Sequence, residues 1–271
     1  MIKIMNLVYY TLGFEIKYLD LLHLSIKSLR KYNTNIDILI ICDESIVDQC
    51  TETLKEFKNV KVVPCTDSVS AMDSSMKKLN IFQYNISKYK RVLFIDSDIL
   101  VDIDLNGIFS NIVDQKLYAG IESFQYDFHT KPWHSLLKYT EEDLEFFKTN
   151  RIFVFNCGLF GFLNSDEMKT HFSNILDMIE TYEGEYYYEQ SFMNVYFNKL
   201  NLVNTKVITH KNYMMNIDVT KLSLRPWECS VYRHKIFHFC FARGAENKLR
   251  EMKWWNKKFI PVLAVNNKTK K

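Results

Sequence analysis

The sequence predicts an α/β protein with a mostly parallel, doubly wound β-sheet. Over the first hundred residues, short apolar runs alternate with longer amphipathic stretches, which is the order of strands joined by crossover helices. Hydrophobic residues make up 47% of the chain, and only 7 of 271 residues are glycine and 4 are proline, as in a folded globular protein. Several aspartates follow one apolar run, at the position where such sheets bind ligands.

The first half of the chain shows the alternation most clearly. Residues 2–10 form an aromatic, apolar run typical of a buried strand, and residues 18–32 place Leu19, Leu22 and Ile26 at helical spacing. The remaining predicted strands of this half cover residues 36–41, 60–63 and 91–95, and its remaining helices cover residues 46–57 and 72–85.

The second half is less regular. Apolar runs predict strands at residues 117–121, 152–162, 203–208 and 235–241, and helical spacing predicts helices at residues 165–181 and 189–200. Neither a repeat nor a linker is visible. We therefore expect a single domain over residues 1–260, followed by a basic tail, residues 261–271, which is more typical of a solvated terminus than of a lipid or nucleic-acid arm.

Composition excludes several classes of protein. A net charge of +3 with interspersed lysines and acids argues against a nucleic-acid partner. We expect no transmembrane segment, because no run of eighteen apolar residues occurs, and the first residues lack the features of a secretion signal. Six scattered cysteines without a C-x-x-C pair favour reduced thiols, so we expect a cytoplasmic location. They are Cys42, Cys50, Cys65, Cys157, Cys229 and Cys240.

The stretch RVLFIDSDILVDID, residues 91–104, contains two D-x-D pairs. Asp102 and Asp104 precede LNGIF, and they are typical of turn or helix-capping carboxylates. Asp96 and Asp98 emerge from a strand end, where the alternation of an extended chain can turn both carboxylates the same way. Converging carboxylates repel unless a divalent cation lies between them, and hard oxygen ligands suit Mg²⁺ or Mn²⁺. From these residues alone, a structural role remains open beside a metal site.

The longer stretch RVLFIDSDILVDIDLNGIF resembles the metal-binding segment of the glycogenin-like, family 8 retaining glycosyltransferases, and the resemblance extends over about residues 4–250. It implies the GT-A fold, with a Rossmann-like, mostly parallel central sheet flanked by helices. Residues 1–105 would form the nucleotide-binding half, and residues 106–260 the half for the donor sugar and the acceptor. The resemblance also implies transfer of a sugar from a UDP-sugar to a glycan or protein acceptor, with Mn²⁺ or else Mg²⁺ held by Asp96 and Asp98.

Two segments resemble the nucleotide-binding part of that family. Tyr18 stands eleven residues before Leu29 and matches the tyrosine that stacks on uracil. The first strand takes the place of the strand that cradles the nucleotide, which implies contacts from Val8, Tyr10 and Thr11. The ordinary alternative for Tyr18 is a tyrosine at a helix start that packs on the core.

Two further segments resemble the part that contacts the donor sugar. Asn156-Cys157-Gly158 resembles an N-S-G segment, with cysteine in place of serine, and a buried strand with a glycine bulge is the alternative. Glu189-Gln190 resembles a D-Q pair, with an acid that is one methylene longer. A first-turn glutamate favoured by the helix dipole is the alternative there.

KIFHFCFARGAENK resembles the family's closing H-x-x-G-x-x-K segment, although the spacing differs. The resemblance implies that His238 completes the metal site and that Gly244 and Lys248 contact phosphate, with Arg243 as a competing phosphate ligand. Taken alone, a histidine between two phenylalanines is more typical of a core residue. Lys78, eighteen residues before Asp96, matches a family lysine about sixteen residues upstream, and Ser97 lies between the two metal-binding aspartates.

The resemblance assigns catalysis to Glu189, Gln190, Asp98 and Lys248, with retention of the anomeric configuration. Two alternatives stay open. One is a sugar-phosphate nucleotidyltransferase, although no early G-x-G loop is present. The other is a catalytically silent protein that binds carbohydrate or nucleotide. A homodimer is also left open, and the segment 124–150, with His129, Trp133 and His134, is either a flap on the acceptor side or a packed helical insertion.

Overall fold

Ten strands are present in the computed structural model, which describes residues 5–122, 140–152, 154–182, 189–209, 213–214, 236–240 and 244–258. In chain order they are β1 (Met5–Leu12), β2 (Asp37–Asp43), β3 (Val60–Cys65), β4 (Tyr89–Ile95), β5 (Ile99–Val101), β6 (Leu117–Ile121), β7 (Phe155–Leu163), β8 (Val203–Asn204), β9 (Tyr213–Met214) and β10 (Ile236–His238). Seven of them form the central sheet in the order β3-β2-β1-β4-β7-β6-β8, and the other three form a small sheet in the order β5-β10-β9.

The central sheet is mostly parallel, as the sequence predicts. β1 pairs in parallel with β2 and β4, β2 with β3, and β6 with β8. β7 runs antiparallel to both of its neighbours, β4 and β6. The carboxyl ends of β1, β2, β4 and β6 therefore share one edge of the sheet with the first residues of β7.

Eight α-helices surround the sheets within the described residues. They are α1 (Tyr18–Arg30), α2 (Val47–Leu54), α3 (Ala71–Met76), α4 (Asn106–Ser110), α5 (Glu141–Thr149), α6 (Asp166–Glu180), α7 (Glu189–Lys199) and α8 (Ala245–Lys258). Two 3₁₀ segments cover Glu44–Ile46 and Lys77–Gln83. None of the described helices combines the length and the apolar character needed to span a bilayer.

Both faces of the central sheet are buried. Alternation along β1 directs Val8 and Tyr10 to one face and Leu7 and Tyr9 to the other, and each pair belongs to a different hydrophobic cluster. The first cluster includes the apolar side of α1, whereas the second includes residues of α6 and α7. A third cluster joins α1, the small sheet and α8 around Trp255. Burial on both faces is what the continuous apolar strands require.

The predicted elements differ from the structure in a few places. The helix expected over residues 72–85 is divided into α3 and the 3₁₀ segment Lys77–Gln83, and the strand expected over 203–208 covers two residues. β5, β9 and α8 were not predicted. The two strands are three and two residues long, which is too short to show a period of two. His129, Trp133, His134, Arg243 and the tail lie outside the described residues.

Candidate functional site

Three side chains with metal-ligand chemistry meet where β4 ends. Asp96 and Asp98 lie in the tight turn between β4 and β5, in which the Ile99 amide donates to the Asp96 carbonyl at 3.2 Å. His238 ends β10 directly opposite Ile99, and its Nε2 lies 3.2 Å from Asp98 Oδ1 and 3.9 Å from Asp96 Oδ2. The expectation that an extended chain aligns the two carboxylates was wrong, because a turn brings them together.

This cluster fits a divalent cation. One ligand atom from each of Asp96, Asp98 and His238 lies within 4.8 Å of the others, and two carboxylates with one imidazole form a suitable donor set. Gly158 of β7 has no side chain and therefore leaves room for the side chains of the cluster. A β-carbon there would overlap His238 Cε1 and would lie 2.9 Å from both Asp96 Oδ2 and Asn156 Oδ1. The Gly158 carbonyl also accepts the Asp96 amide at 2.8 Å, which fixes the turn beside β7.

Lys248, in the first turns of α8, supplies a cation next to the cluster. Its Nζ donates to Asp98 Oδ2 at 2.6 Å and lies 5.9 Å from the centre of the Tyr18 ring. Burial raises the pKa of Asp98, but the charges of Lys248 and His238 outweigh burial and hold this pKa well below its ordinary value. Burial lowers the pKa of Lys248, and Asp98 more than reverses that effect. The pair is therefore charged across the physiological range.

Lys78 connects the cluster of Asp96, Asp98 and His238 to Glu189 at the start of α7. Its buried Nζ lies 2.6 Å from Glu189 Oε1 and 3.4 Å from Asp96 Oδ1, and it donates to the Cys157 carbonyl at 3.3 Å. Burial lowers the pKa of Lys78, but the charges of Asp96 and Glu189 raise it above its ordinary value. Glu189 Oε2 is buried and has no hydrogen-bond partner among the described residues.

The first residues of β7 contact Gln190 of α7. Gln190 Oε1 accepts from the Cys157 amide at 3.0 Å and lies 3.5 Å from Asn156 Nδ2. Asn156 Oδ1 accepts from the Gly158 amide at 2.8 Å. The structure thus brings Glu189, Gln190 and the Asn156-Cys157-Gly158 segment together beside Asp96 and His238.

Asn194, which was not predicted, fixes this end of α7 against β7. Its side-chain amide accepts from the Phe155 amide and donates to the Phe155 carbonyl, at 2.9 Å in each case. Its Nδ2 also lies 2.9 Å from the Gln190 carbonyl, which accepts from it. A buried asparagine that pairs with one strand residue in both directions holds the helix in a single register.

Four more predicted residues lie in or near β1 and in the turn after β4, and a fifth begins α1. The side chains of Val8 and Tyr10 are fully buried in the core, and the Tyr10 hydroxyl lies 3.2 Å from Ser25 Oγ of α1, so the structure does not bring these two side chains to the cluster. Thr11 is half-buried near the end of β1, and Ser97 is half-buried in the turn. Tyr18 begins α1.

Gly244 lies directly before α8 with a φ of 77°. This left-handed conformation favours glycine over any other residue. Its carbonyl accepts the Lys248 amide at 3.2 Å, so the glycine sets the start of the helix that carries Lys248.

Glu122 is an acidic residue of the site that was not predicted. It follows β6, and its Oε2 accepts from Gln190 Nε2 at 2.6 Å. Burial raises the pKa of Glu122, and hydrogen bonds from Gln190 and Asn156 oppose this rise. Because β6 is parallel to β4, an acid directly after β6 lies at the same edge as Asp96, and the rule used for Asp96 could have found it.

Asp43, at the end of β2, is a buried acid near the same edge of the sheet that was not predicted. Its carboxylate accepts from the Phe14 amide, the Ser68 amide and the Ser68 hydroxyl, each at 2.9 Å, and from Lys77 Nζ. A β-carbon on Gly13 would lie 2.5 Å from both Asp43 Oδ1 and Ser68 Oγ. Asp43 therefore fastens the loop after β1 to the loop after β3.

No protein-family model and no curated protein matches the chain. Several solved structures are similar. The galactosyltransferase LgtC in complex with donor and acceptor sugar analogues gives a TM-score of 0.60 at 16% identity, over 94% of this chain and 100% of that one. The apo form of the glycosyltransferase GlyE of Streptococcus pneumoniae TIGR4 gives 0.56 at 14% identity, over 99% of this chain and 64% of that one.

Mouse xyloside xylosyltransferase 1 is also similar, with a TM-score of 0.53 at 12% identity over 87% of this chain and 97% of that one. The chain therefore has the GT-A fold of glycosyltransferases, and the structural resemblance that the motifs predicted is confirmed. At such low identity the likeness shows the fold alone.

Proposed function

We propose that this protein is a metal-dependent, retaining glycosyltransferase that transfers a sugar from a UDP-sugar to a glycan or protein acceptor. The observation that carries the proposal is the cluster of Asp96, Asp98 and His238 at the carboxyl edge of a GT-A sheet, with Lys248 paired to Asp98. Mn²⁺ is the proposed cation and Mg²⁺ the second choice, because carboxylate oxygens suit both. Residues 1–105 are proposed to bind the nucleotide, and residues 106–260 the donor sugar and acceptor.

The metal cluster and Lys248 are proposed to act on the leaving diphosphate. When bound, a divalent ion supplies Lewis-acid stabilisation of the departing phosphate oxygens. Lys248 would shift from Asp98 towards these oxygens as negative charge builds on them. Because this charge develops only as the bond to the sugar breaks, the stabilisation lowers the reaction barrier as well as favouring binding.

Glu189, Gln190 and Asn156 are proposed to act on the sugar. Positive charge builds on the sugar ring as the anomeric bond breaks, and a nearby carboxylate stabilises it. Glu189 Oε1 is engaged with Lys78, so Oε2 is the oxygen available either to attack the anomeric carbon or to stabilise its charge during attack from the same face. Retention is compatible with either route.

The test is release of UDP from a panel of UDP-sugars with Mn²⁺ and after treatment with EDTA. We expect turnover of at least one donor with Mn²⁺ and none after chelation. Asp98→Ala should abolish this turnover, because it removes one ligand and the partner of Lys248.

Asp104→Ala is the matched control. Asp104 Oδ1 accepts from the Asn106 amide at 2.9 Å at the start of α4, outside the cluster. Loss of this turn hydrogen bond costs about 1 kcal/mol of stability and should leave turnover unchanged.

Two results would contradict the proposal. UDP binding without turnover of any donor would favour the silent binding protein, and wild-type rates in Asp98→Ala would remove Asp98 from the metal site. A homodimer and a cytoplasmic location stay predictions.

A further inference from the structure

Glu122 has no role in the proposed reaction, yet it lies in direct contact with the residues proposed to act on the sugar. Its backbone amide donates to the Val154 carbonyl at 2.9 Å, which fixes the residue where β6 meets β7. Its carboxylate oxygen Oε2 accepts from Gln190 Nε2 at 2.6 Å. The side chain thus connects the edge of the sheet to the first turn of α7.

The Glu122 oxygen that faces Gln190 accepts a hydrogen bond from Nε2, so Glu122 favours one of the two orientations of the Gln190 amide. With Nε2 directed at Glu122, Oε1 faces β7, where it accepts from the Cys157 amide at 3.0 Å. The opposite orientation would place an NH₂ group against the Cys157 N–H and the amide oxygen against the carboxylate. Both contacts would be unfavourable, so the acceptor oxygen of Glu122 and the N–H of Cys157 together define a single orientation.

Asn156 extends these hydrogen bonds from Gln190 towards the proposed metal site. Its Nδ2 lies 3.5 Å from Gln190 Oε1, and its Oδ1 accepts from the Gly158 amide at 2.8 Å. That Oδ1 lies next to the space beside Gly158 that Asp96 Oδ2 and His238 Cε1 also border. A set of hydrogen bonds therefore runs from Glu122 through Gln190 and Asn156 to Gly158, whose carbonyl accepts the Asp96 amide at 2.8 Å.

We propose that Glu122 is a positioning residue that fixes the amides of Gln190 and Asn156 and, through them, the pose of the donor sugar. This inference rests on the proposed function. The bond from Gln190 Nε2 to Glu122 Oε2 is short, at 2.6 Å, and partly buried, as is typical of strong hydrogen bonds to carboxylates, and small misplacements of reacting groups lower the reaction rate. Loss of the carboxylate should therefore reduce the rate of the chemical step more than the affinity for UDP.

The kinetic test is a double-mutant cycle of Glu122→Ala and Gln190→Ala, assayed with the donor that turns over. We expect Glu122→Ala to lower kcat about 10-fold or more, because misplacement by about 1 Å can cost up to about 100-fold, while the Kd of UDP stays within about 2-fold. In the Gln190→Ala background, the same change should have a clearly smaller effect, because only the hydrogen bond from Asn156 to Glu122 is then left to lose. Glu122→Gln should recover part of the rate, because its amide oxygen can accept from Gln190 Nε2.

Glu180→Ala is the matched control, since it removes an exposed glutamate at the end of α6 and should leave kcat unchanged. An unchanged kcat in Glu122→Ala would overturn the proposal. Fully additive effects in the cycle would also overturn it, because they would mean that Glu122 acts on the substrate directly.

A second measurement does not depend on turnover. The side-chain amide signals of Gln190 are assigned in a ¹H–¹⁵N spectrum by their loss in Gln190→Ala. We expect these signals to exchange slowly with solvent in the wild type, and to exchange faster and shift in Glu122→Ala but not in Glu180→Ala. Unmoved signals would overturn the positioning role. If no donor turns over but the signals move as expected, the proposed function fails while the contact between Glu122 and Gln190 stands.

Discussion

Buried charge dominates the site at the scale of single residues. Lys78, Asp98, Glu189 and His238 are each at most 5% exposed, and isolated charges at such positions would be very unfavourable. Each has an oppositely charged or hydrogen-bonding neighbour. Removal of one member therefore leaves its partner buried without compensation, and the residue types at these positions are constrained as a group.

Asp43 gives a prediction about pH at this scale. Burial raises its pKa, but hydrogen bonds from Lys77, the Phe14 amide and Ser68 outweigh burial, so the pKa in the folded protein lies below its ordinary value. The unfolded chain, with a pKa of about 3.9, then binds the proton more readily. The stabilisation is therefore fully present above about pH 4 and is lost as the pH falls through the folded-state pKa.

Asp43→Asn should reduce the free energy of unfolding at neutral pH by roughly 2 kcal/mol, since charged hydrogen bonds contribute about 1.5–3 kcal/mol. Urea unfolding between pH 3 and pH 7 should show the difference from wild type shrinking at the acid end. Asp67→Asn is the control, because Asp67 is exposed and accepts one bond from the Ser45 amide at 2.9 Å. A difference that is constant with pH would contradict the assignment.

At the scale of elements, the antiparallel β7 is what assembles the site. Its first residues lie beside the carboxyl end of β4, with Ile95 opposite Leu159, and beside β6, with Gly120 opposite Asn156. A parallel strand in this position would place its first residues at the far edge of the sheet. The direction of β7 therefore determines that Asn156 and Gly158 lie next to Asp96.

The substitution Gly158→Ala tests the close approach of β7 to Asp96 and His238. The added methyl group would overlap His238 Cε1 and crowd Asp96 Oδ2, so two of the three side chains proposed to bind the metal must move. We expect Mn²⁺ affinity, measured by calorimetry, to fall by about 10-fold or more, as when groups that orient metal ligands are altered.

Gly107→Ala is the matched control for this change. Gly107 lies in α4, and nothing is within 4 Å of an added β-carbon there. This variant should bind Mn²⁺ normally and gain up to about 1 kcal/mol of stability. Equal Mn²⁺ affinity in the two variants would contradict the proposal that the metal binds at Asp96, Asp98 and His238, beside Gly158.

At the scale of the whole molecule, the cluster joins parts of the chain that are far apart in sequence. It links the turn after β4, the end of β10 and, through Lys248, the helix α8. Trp255 of α8 also packs into the third hydrophobic cluster, which includes residues of α1 and of the small sheet. A cation bound there should therefore stabilise the molecule as a unit.

We expect Mn²⁺ to raise the Tm of the wild type and EDTA to reverse the change. At 100 times Kd the stabilisation is about 2.7 kcal/mol, and a change of 1 kcal/mol shifts the Tm of a larger domain by about 2–4 °C. Thermal unfolding of Asp104→Ala should show the same shift, whereas Asp98→Ala should show none. An equal shift in Asp98→Ala would mean that Mn²⁺ binds elsewhere.

The sequence by itself determined the α/β class, the order of the main elements and the short motifs that the site contains. In strands apolar residues recur every two residues, and in helices about every 3.6 residues. The D-x-D pair and Glu189-Gln190 each lie within a few residues of the chain. These features need no knowledge of which distant segments meet. The turn hydrogen bond of Asp104 was predictable for the same reason, since its partner Asn106 is two residues away.

Only the tertiary structure decided which of these residues meet. The direction of β7, the turn that joins Asp96 to Asp98, the contact of Glu122 with Gln190, and the burial of Val8 and Tyr10 away from the cluster all depend on pairings between distant segments. Such pairings are set by the packing of both sheet faces and by buried hydrogen bonds, such as those of Asn194 to Phe155. Local periodicity does not encode these contacts, because it fixes the face of each element but not its neighbour.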